Sequence, residues 1–343
     1  MSRTDQLVRR NIRELTPYSS ARDEYPGKNG IFLDANENPY GKLNRYPDPH
    51  HRNLRSAISS LSNIPAENIF LGNGSDEAID LLYRMFCNPG RDKALTFSPT
   101  YGMYEVSATV NDVEMIKIPL DSSFAIDLPK VTPYFEDGLL KLIFICSPNN
   151  PTSNSLEREK IISIIESFRG IVVIDEAYID FSDEPSLVSL TDRYENLVIL
   201  RTFSKAWGAA AIRVGMVIAS SEIINYLYKL KPPYNISAIN QEEALKRIRK
   251  PEKYRKQIRK IKSERQKLIK KIGALEIIKM IYPSDANFIL VKVSDANAIY
   301  ELLLEKNVIV RNRTSVINNC LRITVGTKEE NKRLIKELKK IRI

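Results

Sequence analysis

Histidine is nearly missing from this chain. His50 and His51, side by side, are the only imidazoles in 343 residues. A histidine-based zinc site or a Ser–His–Asp triad needs imidazoles brought in from separate parts of the chain, so both chemistries are set aside. Cysteine is also scarce. Cys87, Cys146 and Cys320 are odd in number, widely spaced and set in apolar segments, with no CxxC pair. They read as buried free thiols of a reducing compartment. Glycine, at 13 residues, is about half its usual share. The glycines that remain at 72, 74, 102, 208, 215 and 326 are therefore read as backbone requirements. No apolar run approaches the ~18–20 residues of a membrane-spanning helix. The opening MSRTDQLVRRNIREL has no apolar signal core and no small-residue cleavage site. The expectation is a cytoplasmic protein that neither enters nor crosses a membrane.

What is present is ordinary globular material, 43% hydrophobic and 27% charged, long enough for two domains. The net charge of +10 is concentrated. Residues Lys246–Lys271 hold 14 Lys/Arg against only Glu252 and Glu264. Tyr254, Ile258, Ile261, Leu268 and Ile272 recur through this run at helical spacing. It reads as one amphipathic helix with a solvated basic face, and no nucleic-acid module accompanies it.

Short β-branched runs alternate with helical patterns through the middle of the chain. Strands are expected at Asn68–Leu71, Lys93–Phe97, Glu114–Ile118, Leu140–Cys146, Ile171–Asp175, Leu197–Arg201 and Val214–Ala219. Helices are expected at Asp76–Cys87, Tyr101–Val110, Leu156–Phe168 and Glu222–Leu230. Such alternation predicts an α/β fold whose large domain is a mostly parallel sheet sandwiched by helices. After the basic helix the pattern shifts to a smaller α/β domain. The division expected is an N-terminal segment, 1–45, packing with the small domain, a large domain, 46–240, and a small C-terminal domain, 241–343.

Five segments carry possible chemistry. LGNGSDEAIDLLYRMF, Leu71–Phe86, turns from a strand into a helix start whose free N–H groups suit an anion. FSPTYGMY, Phe97–Tyr104, puts a tyrosine at a helix start, where it could stack on a flat ring. ICSPNNPTSNS, Ile145–Ser155, offers a polar amide at a strand's carboxyl end. IVVIDEAYIDF, Ile171–Phe181, ends an apolar strand in Asp175, an acid that needs a partner if buried. LRTFSKAWGAAAIRVG, Leu200–Gly215, sets Lys205 among apolar neighbours, with Ser204 and Arg213 as anion binders. Each has a plain structural reading: a capped helix, an amphipathic face, a polar turn, a capping Asp, a solvated lysine. The combination says more. Asn150, Asp175, Tyr178, Ser204, Lys205 and Arg213 supply an amide, an acid, a phenol, an amine and two anion binders, each at or near the end of a strand. That is the set pyridoxal phosphate requires.

The local words extend this. LTPYSSAR (Leu15–Arg22), FLDANENPYG (Phe32–Gly41), NRYPDP (Asn44–Pro49), SPTYGMY (Ser98–Tyr104), CSPNNPT (Cys146–Thr152), DEAYIDF (Asp175–Phe181), RTFSKAWG (Arg201–Gly208) and CLRITVGT (Cys320–Thr327) run in order over nearly the whole chain. Together they resemble the fold-type I, class I/II pyridoxal-phosphate-dependent aminotransferases, most closely the branch acting on histidinol phosphate. The resemblance implies that Lys205 tethers pyridoxal 5'-phosphate. It implies that Asp175 faces the ring nitrogen, that Tyr178 and Asn150 bond the ring oxygen, and that Tyr101 stacks on the ring. Gly74, Ser75 and Asp76, with Ser204 and Arg213, would hold the cofactor phosphate, and Tyr46 would reach the phosphate of a neighbouring subunit in a homodimer. Arg322 and Arg311 would bind substrate anions, with Tyr18 and Asn36 lining the same pocket. The implied substrates are histidinol phosphate and 2-oxoglutarate, the latter leaving as glutamate. An aromatic-amino-acid aminotransferase or a phosphothreonine decarboxylase on the same scaffold is the alternative. Three departures from the family words stand out: Ser153 where glycine is usual, Ala211 where glycine is common, and Trp207 for a typical phenylalanine.

Overall fold

The structure, a computed structural model, describes residues 2–19, 21, 25 and 30–342. Ser20 and Arg22 of the LTPYSSAR segment lie outside the described residues. Seven strands form the larger sheet: β1 Ile69–Gly72, β2 Lys93–Ser98, β3 Glu114–Pro119, β4 Leu140–Cys146, β5 Ile171–Asp175, β6 Leu197–Thr202 and β7 Gly215–Ile218. Their spatial order is β1-β7-β6-β5-β4-β2-β3. Strands β2 to β6 pair in parallel. The expectation of a mostly parallel sheet holds, with β7 antiparallel to both β6 and β1.

Period-two alternation explains why the middle strands read as unbroken apolar runs. On β4, Ile143 and Ile145 enter the core on one face of the sheet. Leu142, Phe144 and Cys146 enter the core on the other. Helices cover both faces, so neither set of side chains meets water. Each buried Val, Ile or Leu contributes about 1.5–3 kcal/mol. The parallel strands therefore end together at one edge, where Ser98, Cys146, Asp175 and Thr202 stand. That edge is where open α/β sheets bind ligands.

A second sheet, with its own core, contains β8 Ile278–Ile281, β9 Phe288–Val293, β10 Arg311–Asn312 and β11 Cys320–Thr324. It is antiparallel throughout, in the order β10-β11-β9-β8. Tyr178, Phe181, Ala206, Ala286 and Phe288 form a small apolar cluster where the two parts of the chain meet.

The first residues differ from the sequence expectation. The helices Arg3–Leu7 and Arg10–Arg13 do not join the smaller sheet. Val8 and Ile12 enter the core of the larger one, and the Arg9 N–H donates to the Met85 carbonyl at 2.9 Å. The apolar surface matching Val8 and Ile12 is that of the helices Ser75–Phe86 and Ser221–Leu230.

The basic run is not the single helix expected. Lys246 and Arg247 end the helix Ala238–Ile248. The helical path breaks at Arg249–Lys250 ahead of Pro251, which cannot continue a helix. The rest forms the helix Pro251–Ile272, with Leu268 and Ile272 buried. Arg265 departs from the solvated face expected of it. It is buried, and its guanidinium donates to the Ala286 carbonyl at 2.7 Å. Ser153 adopts φ +69°, in the left-handed region where glycine is at ease. Its hydroxyl donates to the carbonyl of Pro283 at 3.0 Å, and its own carbonyl accepts from the Asp285 N–H at 2.7 Å. The side chain that replaces glycine here ties the loop carrying Asn150 to the loop before β9.

Candidate active site

Ten of the residues singled out in the sequence converge on one cavity of about 260 Å³ at the carboxyl edge of the larger sheet. They are Ser75, Asp76, Tyr101, Asn150, Asp175, Tyr178, Ser204, Lys205, Arg213 and Arg322. Sheet register explains the convergence. Cys146 pairs with Asp175 across β4 and β5, so the Asn150 loop and the Asp175–Tyr178 segment leave the sheet side by side. β6 leads directly into Ser204 and Lys205.

One end of the cavity is built for an anion. The helix Ser75–Phe86 starts at Gly74 with no side-chain cap, leaving its first N–H groups open. Gly74 sits at φ +78°, and a Cβ there would lie 2.5 Å from the Arg213 guanidinium. A Cβ on Gly215 would lie 2.4 Å from the Ser75 nitrogen. Both positions must stay bare for Arg213 and the helix start to close together. Arg213 itself takes φ +50°, a strained conformation for a side chain of this size. Its Nη2 lies 3.3 Å from Asp76 Oδ2, and its Nη1 donates to the Ser204 hydroxyl at 3.5 Å. Thr202 completes the turn, its hydroxyl accepting from the Ser204 N–H at 3.1 Å.

Asp175 lies at the floor, 3% exposed. Burial pushes its carboxyl above the ordinary range, while hydrogen bonds from Tyr104 and the Ala177 N–H pull it back. Tyr104 Oη donates to Oδ2 at 2.8 Å and Ala177 N–H to Oδ1 at 3.0 Å. Lys205 opens on the same space. The cavity walls lower its ammonium pKa and Arg322 lowers it further, while Asp175 and Asp76 act the other way. Its Nζ is 5.5 Å from the centre of the Tyr178 ring. Burial raises the phenols of Tyr178 and Tyr101, so both stay protonated at neutral pH. Tyr101 donates to Asp76 Oδ1 at 3.0 Å and meets Tyr104 edge to face. Asn150 Oδ1 accepts a close hydrogen bond from Arg322 Nη1. Arg322 also lies 5.4 Å over the Phe288 ring.

Several contributors escaped the sequence reading. Tyr104, at 0% exposed, stacks on Phe144 and orients Asp175. The spacing from Tyr101 to Tyr104 placed it on an amphipathic helix face, and only the strand order shows that this face meets Asp175. Asn149 links the loops after β2 and β4: its amide donates to the Pro99 carbonyl at 2.9 Å and its Oδ1 accepts from Thr100 at 2.8 Å. Removing the Tyr104 hydroxyl would leave Asp175 with one donor fewer in a dry site. Tyr104→Phe is expected to cost about 1–3 kcal/mol of stability at pH 7, measured by urea denaturation. The cost should shrink in acid, where the carboxyl is protonated.

The other expected site residues stand apart from the cavity. Arg311 is exposed on β10, directly opposite Arg322 on β11. Tyr18 is 72% exposed. Asn36 and Tyr46 line a separate surface groove with Ser237 and Ile239, and Tyr46 stacks on Tyr234 at 4.4 Å between ring centres. Within one chain none of Tyr18, Asn36 and Tyr46 lines Lys205's cavity.

The chain matches the family model of class I and II aminotransferases over residues 30–338. It is 51% identical over 342 residues to a histidinol-phosphate aminotransferase of Cytophaga hutchinsonii, covering 98% of each chain. The crystal structure of the histidinol-phosphate aminotransferase from Clostridium acetobutylicum superposes with a TM-score of 0.80 at 26% identity, over 87% of this chain and 90% of that one. The Sinorhizobium meliloti histidinol-phosphate aminotransferase, solved in complex with pyridoxal-5'-phosphate, shares the fold with a TM-score of 0.78 at 21% identity, over 86% of this chain and 82% of that one.

Proposed function

The chain belongs to the class I and II aminotransferases, and from that premise we propose that it transaminates L-histidinol phosphate with 2-oxoglutarate. The products are imidazole-acetol phosphate and L-glutamate, in a step of histidine biosynthesis. The observation carrying this reading is the junction, in one cavity, of a buried carboxylate, an amine of lowered pKa and an anion cradle at one end, with Arg322 at the other.

The residues fit pyridoxal 5'-phosphate. The cradle at Gly74, Ser75, Asp76, Ser204 and Arg213, kept open by the missing Cβ atoms of Gly74 and Gly215, suits a phosphomonoester. Asp175 is a buried acid whose hydrogen bonds come from a phenol and a backbone N–H, so a protonated ring nitrogen would supply its counter-charge. When bound, the cofactor supplies a carbonyl carbon that takes up an amine and a ring that draws electrons from the bonds around it.

The chain's own residues would do the rest. Lys205 would tether the cofactor and, once displaced by the donor amine, take the Cα proton; its lowered pKa keeps more of it in the neutral, basic form. Asp175 would hold the ring proton, with Tyr104 and the Ala177 N–H keeping the carboxylate charged and in place. Tyr178 and Asn150 would bond the ring oxygen, and Tyr101 would cover the ring face. Arg322 would grip the anionic end of each substrate, with Arg311 beside it. The donor's ketone leaves before the oxo acid enters the same cavity, so ping-pong kinetics are expected.

The reading includes a cytoplasmic homodimer. Ile31, Leu33, Tyr40, Leu43 and Ile239 are exposed on or beside the segment carrying Asn36 and Tyr46, an apolar surface suited to a second copy. Tyr46, Tyr18 and Asn36 would then complete the partner's site. A coupled assay of glutamate formation from 2-oxoglutarate tests the donor. Histidinol phosphate is expected to exceed phenylalanine and tyrosine in kcat/KM by at least about 100-fold, the gain from charge-assisted binding of one phosphate. Equal turnover of the aromatic amino acids would overturn it.

A further inference from the structure

The hairpin that carries Arg311 also carries a third guanidinium. Arg311 is the Cα partner of Arg322 across β10 and β11. The pairing runs on past β10, since the Arg313 N–H donates to the Cys320 carbonyl at 2.9 Å. Residues two apart on a strand share a face, so Arg313 follows Arg311 on the side of Arg322. Arg313 is half-buried, and its Nε is sealed from water with no hydrogen-bond partner. The neighbouring Thr314 hydroxyl is buried and unpartnered as well. Burial lowers the Arg313 pKa, and Arg322 and Arg311 lower it further. Among the described residues no carboxylate forms an ion pair with Arg311, Arg313 or Arg322, although surface arginines elsewhere are routinely paired.

Three guanidiniums held together without a counter-charge repel one another. A ligand that neutralises them recovers that energy, and a dianion does so better than a monoanion. The geometry points to Arg313 as a third ligand of the substrate's phosphate, the residue that tilts this site toward a phosphomonoester donor and away from a carboxylate; this rests on the reading of Arg311 and Arg322 given above. The phosphate dianion offers several acceptor oxygens, enough for two forked guanidiniums and the Thr314 hydroxyl. Each carboxylate of 2-oxoglutarate carries a single charge and two oxygens. Arg322, whose Nη1 is engaged by Asn150, is anchored toward the cofactor end, which leaves the outer part of the anion to Arg311 and Arg313.

The test compares the holoenzyme with its Arg313→Gln and Arg313→Lys variants in steady-state kinetics, with inorganic phosphate as competitive inhibitor. In Arg313→Gln the KM for histidinol phosphate is expected to rise about tenfold, the loss of one charge-assisted hydrogen-bonding group. The inhibition constant for inorganic phosphate should rise in parallel, the KM for 2-oxoglutarate should rise far less, and kcat should move little. Arg313→Lys should recover part of the loss. An equal rise in both substrates' KM, a phosphate inhibition constant that does not move, or a lysine variant no better than glutamine would overturn the assignment. An enzyme that ignores histidinol phosphate, yet is inhibited by inorganic phosphate less strongly in Arg313→Gln than in wild type, would refute the donor reading and uphold Arg313 as an anion ligand.

Discussion

Replacing Lys205 by alanine is expected to lower transamination by at least about 10⁴-fold, because in the proposed mechanism one side chain would supply both the covalent tether and the general base. The position leaves no substitute. Among the described residues Lys205 is the only lysine lining the cavity. The other bases near its Nζ are Asp175, committed to Tyr104 and Ala177, and Asp76, committed to Arg213 and Tyr101. The variant should fold, since Lys205 is exposed to the cavity mouth rather than packed in a core. It should still bind the cofactor phosphate through the Gly74–Asp76 cradle, and the visible absorbance of lysine-bound cofactor should vanish. Steady-state assays and absorbance spectra check both. Turnover within tenfold of wild type would place the chemistry elsewhere.

The second large effect is at Asp175. Asparagine there keeps the shape and removes the charge, so under the proposed role a bound ring nitrogen would lose the anion that holds its proton. Activity is expected to fall about 10²–10⁴-fold, the scale of removing a preorganised electrostatic contact. Stability should behave differently. Burial raises the Asp175 carboxyl above its ordinary value of 3.8, so ionising it costs more in the folded chain than in the unfolded one. That penalty is absent in acid, below the ordinary value, and grows as pH rises through it towards the raised value. In the cofactor-free protein at pH 7, Asp175→Asn is therefore expected to be at least as stable as wild type. The two melting temperatures should converge as pH falls. A variant that loses activity and stability together at pH 7 would contradict the assignment of a desolvated carboxylate.

The parts of the fold most legible in the sequence were those where burial on both faces leaves an apolar run. β4, β5 and β6 stand out for that reason, and the polar residue closing each run is the one at the ligand edge. Asp175 and Lys205 could be found because charges beside such runs are costly without a purpose. Strand direction could not be read. Nothing in the pattern of Val214–Ala219 says that β7 runs antiparallel, since alternation is the same in both senses. Tyr104 was hidden because its partner Asp175 lies 71 residues away, across a contact set only by strand order. Arg313 was hidden because β10 spans two residues, too short for periodicity to register, yet that pairing is what brings Arg311 and Arg313 beside Arg322. Tyr18, Asn36 and Tyr46 were identifiable by resemblance alone: only Tyr46 was expected to serve a neighbouring subunit, and in a single copy of the chain all three stand at the surface, apart from the Lys205 cavity.

Every step of the proposed reaction depends on one amine in this chain bonding to pyridoxal 5'-phosphate. Borohydride reduction of the holoenzyme, followed by digestion and peptide mass mapping, tests it most directly. A single modified peptide is expected, the one containing Lys205. A label on any other lysine, or a protein that stays unlabelled after saturation with the cofactor, would contradict it.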